Sequence, residues 1–192
     1  MTSKSKNLKV LQIVADGNPG GGTTLVLEVL KSLEKPIFIS QTNSYATSIA
    51  SSLGIETYEL DFFTSRLDLR ISIKMRTLIN HVKPDLIHVH GNRAAFFLSF
   101  FRCPCPVIYT VHGLHGLYNG NFFGKWGEKQ AIRSADHVVF VSKWEQSLAQ
   151  RNKLITSQAH QVIYNGLKIP KFKKRISRRD FISLKIFEFK NA

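Results

Sequence analysis

Residues 8–14 read LKVLQIV, and Ala15-Asp16-Gly17-Asn18-Pro19 follow them. A short, nearly continuous apolar run that stops at turn-forming residues has the profile of a strand buried in a parallel sheet, with a loop behind it. Beyond Gly20, Gly21 and Gly22, residues 23–33 set Leu25, Val26, Val29, Leu30 and Leu33 on one helical stripe, with Thr23 or Thr24 placed as N-cap. Strand, glycine loop and helix form the first unit of the fold.

The alternation continues outward from it. The pattern predicts strands over 36–40, 55–60, 86–90, 107–111, 137–141 and 161–164, and helices over 44–53, 67–82, 93–101 and 123–133 and from Ser142 onward. Regular alternation implies right-handed crossovers and a parallel sheet covered on both faces, an α/β fold of the Rossmann-like doubly wound type. In open sheets of this kind ligands sit beyond the carboxyl ends of the strands, so function is expected in the loops after the first, fourth and fifth strands.

With 192 residues and 43% hydrophobic content, the chain supports one core and a tail. Residues 1–166 are read as the domain and 167–192 as a basic linker, because Asn165-Gly166 signals a turn and no complete βαβ unit follows. The longest apolar run, 94–101, contains Ser99 and ends at Arg102, well short of the roughly 20 residues a membrane span needs. The basic N-terminus lacks a signal-peptide profile, so a cytoplasmic location is expected. Cys103 and Cys105 flank one proline and are read as reduced thiols.

The formal charge of +14 suits polyanionic partners. Half of it lies on Lys168, Lys171, Lys173, Lys174, Arg175, Arg178 and Arg179, a run without an acid. Such a block is either a solvated linker or an adhesive for anionic membrane.

Gly20, Gly21 and Gly22 open a helix, where free amides and the helix dipole favour an anion, or else they simply make a tight turn. Their spacing is not the dinucleotide fingerprint, strand two ends in Ser40 and Gln41 without an acid, and no Gly-Lys-Ser/Thr follows. A nicotinamide enzyme and a P-loop are therefore disfavoured. His88 and His90 on strand four and His112 and His115 beyond strand five gather at the carboxyl edge. His88, between Ile87 and Val89, is read as a core residue, and the pair His88-x-His90 is expected to bring at most one ring to a given cleft, which argues against a metal. His90 and His112, each followed by glycine at a strand end, are read as either site or structural residues.

Taken together, KVLQIVADGNPGGGTTLVLEVLKSL, KPDLIHVHG, VIYTVHGLHG, AIRSADHVVFVSKWE and VIYNG resemble the N-terminal domain of family 4 glycosyltransferases, in the family's order and over residues 8–166. The resemblance implies one half of a two-domain GT-B fold and transfer of a sugar from a nucleotide-sugar donor to a saccharide or lipid-linked acceptor. Retention of configuration, no metal, no cofactor besides the nucleotide sugar as co-substrate, and no nucleic-acid partner go with it. Cell-surface polysaccharide, lipopolysaccharide or glycolipid synthesis is the implied setting, with possible peripheral contact at the inner membrane face. By position, the resemblance implies His112 as the catalytic histidine and Gly21, Gly22 and Gly113 beside the donor's phosphate and sugar. His90, Arg93, His115 and Tyr118 are assigned to the acceptor, with a solvated arginine the simpler reading of Arg93. Asp136 and Ser142 are read as a structural turn residue and a helix N-cap. The aromatic loop 114–126 is expected to shape the acceptor site, and the glutamates and basic residues that grip the donor belong to a C-terminal domain outside this sequence. The rival class is a non-catalytic module that holds an acceptor, a membrane surface or a partner chain.

Overall fold

A computed structural model of the chain describes residues 7–65, 67–118 and 122–166. The basic segment 167–192 and the tip of the aromatic loop, 119–121, lie outside the described residues.

Seven strands form one parallel sheet: β1 (Lys9–Val14), β2 (Lys35–Gln41), β3 (Glu56–Leu60), β4 (Leu86–His90), β5 (Val107–Val111), β6 (His137–Phe140) and β7 (Ala159–Val162). Their order in space is β3-β2-β1-β4-β5-β6-β7. The chain steps outward from β1 in one direction, returns, and steps outward from β4 in the other. This reversal leaves a crevice between the carboxyl ends of β1 and β4.

Because every crossover is right-handed, the reversal also assigns the helices to faces. α1 (Gly21–Ser32) and α2 (Tyr45–Ser52) pack Val26, Leu27, Leu30, Ala46 and Ala50 against Val14 and Phe38 on one face. On the other, α3 (Leu69–Val82), α4 (Asn92–Leu98), α6 (Phe122–Arg133) and α7 (Lys143–Arg151) meet a larger core of Leu11, Ile13, Ile87, Val89, Tyr109 and Phe140. A one-turn helix, α5 (His115–Tyr118), lies between β5 and α6 in the loop that the sequence pattern left irregular. Among the described residues α1 and α2 lie over β1 to β3, and Ile108 and His137 on the same face farther along are half-buried.

Local chemistry explains most boundaries. Ser44, Asp68 and Ser142 cap α2, α3 and α7 by accepting from the N–H groups of Thr47, Arg70 and Glu145. For α1 the expected threonine cap is replaced: the helix starts at Gly21 with Gly20 as N-cap and no side-chain cap bond. Thr23 instead donates its hydroxyl to Asn18 O at 2.6 Å and ties the glycine loop together. Two aspartates set strand registers. Asp85 accepts from Lys9 N–H and Asp136 from Val107 N–H, both at 2.8 Å, so each pins the start of a neighbouring strand. The last strand lies two residues earlier than the apolar pattern suggests, because β7 is an edge strand whose alternate residues are exposed and whose sequence carries little periodicity. No helix among the described residues is long and apolar enough to cross a membrane.

Candidate functional site

The loops after β1, β4 and β5 enclose a cleft of about 1110 Å³ at the switch point. One wall is the 16–23 loop leading into α1, and the opposite wall is Asn92, Phe96 and the start of α6. Phe63, Leu67, Phe122 and Phe123 form an apolar rim, the two α6 phenylalanines being 77% and 78% exposed. A second depression at the amino end of β1 and β2 carries Lys9, Lys31, Glu34, Lys35 and Glu56, charges of both signs with no converging geometry.

Gly17 lets the first loop fold tightly, since a Cβ there would collide with the Ser44 hydroxyl and come within 2.7 Å of Ser40 Oγ. The turn presents α1 end-on to the cleft, with its free amides and positive dipole end. Gly91, at φ 74°, makes the corresponding turn into α4.

On the cleft floor the histidines form a connected set. His88 and His90 lie on the same face of β4, with ring centroids 4.0 Å apart. Residues two apart on a strand share a face, so opposite faces are not the reason, but of the two only His90 lines the cleft. His88 bonds Thr110 Oγ1 at 2.8 Å and stays behind the cleft. His90 is 1% exposed, with Nε2 2.7 Å from Gln12 Oε1 and Nδ1 3.2 Å from His112 Nε2. Both its nitrogens are therefore used within the protein, and it lines the cleft floor with almost no exposed surface. His112 lines the cleft and is stacked at 5.5 Å on His90. A Cβ on Gly22 would lie 3.6 Å from His112 Cγ, so the glycine loop and the histidine face each other across the space of one side-chain carbon.

Burial holds the histidines neutral. It pushes His88 down to about 4, with His112 adding to the effect, pushes His90 well below the ordinary histidine range, and lowers His112. No group of three or more His, Cys, Asp or Glu among the described residues could hold a metal ion.

The remaining assigned residues divide. Gly113 lies in the cleft, and a Cβ there would come within 2.5 Å of His115 Nε2, so glycine is what lets the His115 ring lie back over it. His115 is exposed at the cleft and packs edge-on against Tyr118 at 5.7 Å. Gly21 and Tyr118 are not brought into the lining. Gly21 faces outward while Gly20 and Gly22 face the cleft, and Tyr118 stacks on Trp144 at 6.3 Å. Arg93 lines the cleft half-buried, with its guanidinium engaged by the protein. Its guanidinium donates to Phe62 O at 2.6 Å and Ser65 O at 2.8 Å and lies 4.6 Å over the Phe63 ring, strapping the 62–65 loop to α4.

Two residues escaped the sequence reading. Glu128 is fully buried in α6, and its Oε1 accepts from Gly116 N–H at 2.8 Å, anchoring α5 beside the cleft. Burial raises its carboxyl above the usual range, against the opposing pull of the Gly116 and Asn92 hydrogen bonds. Its periodicity within α6 gives no sign of this. Gln12 did leave a signal, as the one polar side chain inside the apolar run of β1.

Residues 19–169 match the sequence model of Glycosyltransferase Family 4. Comparison with curated proteins finds no matching sequence. Among solved structures, Anabaena HepE in complex with UDP and glucose superposes with a TM-score of 0.70 at 18% identity, over 95% of this chain and 50% of that one. A glycosyltransferase from Rickettsia africae gives 0.60 at 18% identity over 95% and 49%, and Acinetobacter baumannii MurG gives 0.57 at 15% over 83% and 47%. The chain thus spans about half the length of these structures, and its seven-stranded sheet is the Rossmann-like half of a GT-B fold. By its sequence match, and with a fold that agrees, the chain belongs to glycosyltransferase family 4.

Proposed function

We propose that this chain is the acceptor-side half of a retaining glycosyltransferase that moves a sugar from a nucleotide sugar to a saccharide or lipid-linked acceptor. The observation that carries the reading is that His112 and Gly22 face each other across the cleft at the switch point. This arrangement sets a neutral imidazole beside the amino end of α1, where a diphosphate and the sugar attached to it meet complementary groups. HepE, the neighbour solved with UDP-glucose, supports a nucleotide-sugar donor.

The cleft's outer half supports the acceptor side. Phe63, Leu67, Phe122 and Phe123 offer apolar surface that a free oligosaccharide does not need and a lipid carrier does. With a charge of +14 across the chain, peripheral contact with an anionic inner membrane face during polysaccharide or glycolipid synthesis follows from the same reading. Catalysis needs no metal in this scheme.

A transfer assay tests it. The chain alone is expected to leave nucleotide sugars intact, because the donor grip belongs to the partner domain. Joined to the donor-binding domain of a family 4 enzyme, it is expected to transfer labelled hexose to a lipid-linked saccharide with metal chelated, and His112→Ala is expected to lower the rate about a hundredfold or more. Saccharide binding without transfer in any joined form would leave a non-catalytic module as the better reading.

A further inference from the structure

The Gln12–His90–His112 chain has a direction, and the direction determines what His112 can offer a ligand. The amide oxygen of Gln12 has no hydrogen to give, so at 2.7 Å the proton between it and His90 sits on His90 Nε2. A neutral imidazole carries one N–H, which leaves His90 Nδ1 as an acceptor. Across the 3.2 Å contact His112 Nε2 must then be the donor. The lone pair of His112 falls on Nδ1, the nitrogen 3.8 Å from where a Gly22 Cβ would stand.

We propose that Gln12 and His90 are positioning residues that lock His112 as its Nε2–H tautomer, so that the ring meets its ligand through a bare Nδ1 that accepts a hydrogen bond from a hydroxyl. The chain is well insulated. Gln12 and His90 are each 1% exposed, and the tilted His88 ring packs 4.0 Å from that of His90, so water has no ready access to exchange the protons. Burial lowers both His90 and His112, which keeps each ring at one proton near neutral pH. An acceptor nitrogen selects a ligand group with a proton to give. His112 is thereby matched to a sugar hydroxyl, and the diphosphate is left to the amides of α1. The role given to Nδ1 rests on the glycosyl-transfer reading, whereas the tautomer does not, so the two fail in different experiments.

Long-range 1H–15N correlation on the full labelled chain at pH 7.5 reads the tautomer, with His112 assigned from the signals lost in His112→Asn. The expected spectrum has His112 protonated at Nε2 and bare at Nδ1, with a 15N–15N coupling across the hydrogen bond to His90 Nδ1. Gln12→Met keeps the buried volume and removes the amide. It is expected to lower the preference for that tautomer about tenfold in both rings, the scale of one hydrogen bond in a buried network. Protonation of His112 at Nδ1 in the unaltered chain would overturn the proposal, as would a folded Gln12→Met chain whose two tautomers match those of the original. Should Gln12→Met fail to fold, the coupling in the unaltered chain decides the direction without it.

Discussion

The central strands β1, β4 and β5 present two unlike faces. Toward α3, α4 and α6 they show Leu11, Ile13, Ile87, Val89, Tyr109 and Val111, and toward the opposite side Gln12, His88, His90 and Thr110. Parallel strands buried on both faces usually carry apolar residues on each. Here one face is apolar, and the other, beside the smaller core at Val14, holds a hydrogen-bonded polar row that surfaces at the cleft as His112. The difference separates what holds the fold from what equips the site, and substitutions on the two faces are expected to fail in different ways.

The largest effect belongs to the packed face. Phe97 is fully buried between Phe62 and Phe96, with ring centroids at 6.5 and 5.7 Å. Phe97→Ala is expected to cost about 3–5 kcal/mol in urea unfolding through lost burial and a residual cavity. A loss below about 1 kcal/mol would mean that this core can collapse around the gap and that the contrast between the faces is weaker than drawn.

The polar face is expected to break with acid. His88 is pushed down to about 4 when folded, against about 6.5 in an unfolded chain. Between those values the unfolded state binds the extra proton, so the stability this residue contributes is complete above about 6.5 and lost as the pH falls toward about 4. The span corresponds to roughly 3 kcal/mol at most for His88, and His90 adds a loss of the same sign. Urea unfolding at pH 7.5 and 4.5 measures it, with His88→Gln, which can keep the Thr110 bond, expected to flatten the dependence by about one proton. The same slope in both chains would show that carboxylates, not this row, govern the acid limit.

How far the two faces were legible follows from the same alternation. The apolar residues of β1, β4 and β5 mark the strands and their order in the chain, and Ser142 is recognisable as a cap from its position at an element start, whereas Asp136, read as a turn residue, sets a register through a bond to Val107 that the sequence does not show. The polar row was visible in the letters but not in its meaning. His88 and His90 alternate along β4 and so share a face, while the bond from His90 to Gln12 crosses 78 residues and no local pattern predicts it. Arg93 illustrates the same limit, because its partners are carbonyls at Phe62 and Ser65 in a loop with no periodicity. The α1 cap was misread because a glycine loop supplies its own turn and frees Thr23 for Asn18.

A smaller effect should come from the register pins and caps, which serve both faces equally. Ser142→Ala removes the side-chain acceptor for Glu145 N–H and is expected to cost about 1 kcal/mol, read as a shift in urea midpoint with an unchanged slope. A change in slope would instead indicate that α7 comes away as a separate unit.

The smallest effect on stability is expected at Gly22, where the contrast between fold and site is sharpest. An added methyl would stand 3.6, 3.7 and 3.8 Å from His112 Cγ, Cδ2 and Nδ1, ordinary van der Waals distances, so Gly22→Ala requires no backbone movement. Glycine is a poor helix residue, and alanine in the first turn of α1 is expected to leave stability unchanged or raise it by up to about 1 kcal/mol. The same methyl occupies the space above the imidazole into which a ligand must descend to reach Nδ1. Saccharide binding, followed by the shift of the His112 ring signals during titration, is expected to weaken about tenfold or more, a penalty of about 1.4 kcal/mol. A variant with higher thermal stability and weaker binding would place Gly22 among the residues kept for the site at the expense of the helix. Unchanged binding would move the ligand away from Gly22 and toward Gly113 and His115, which also line the cleft.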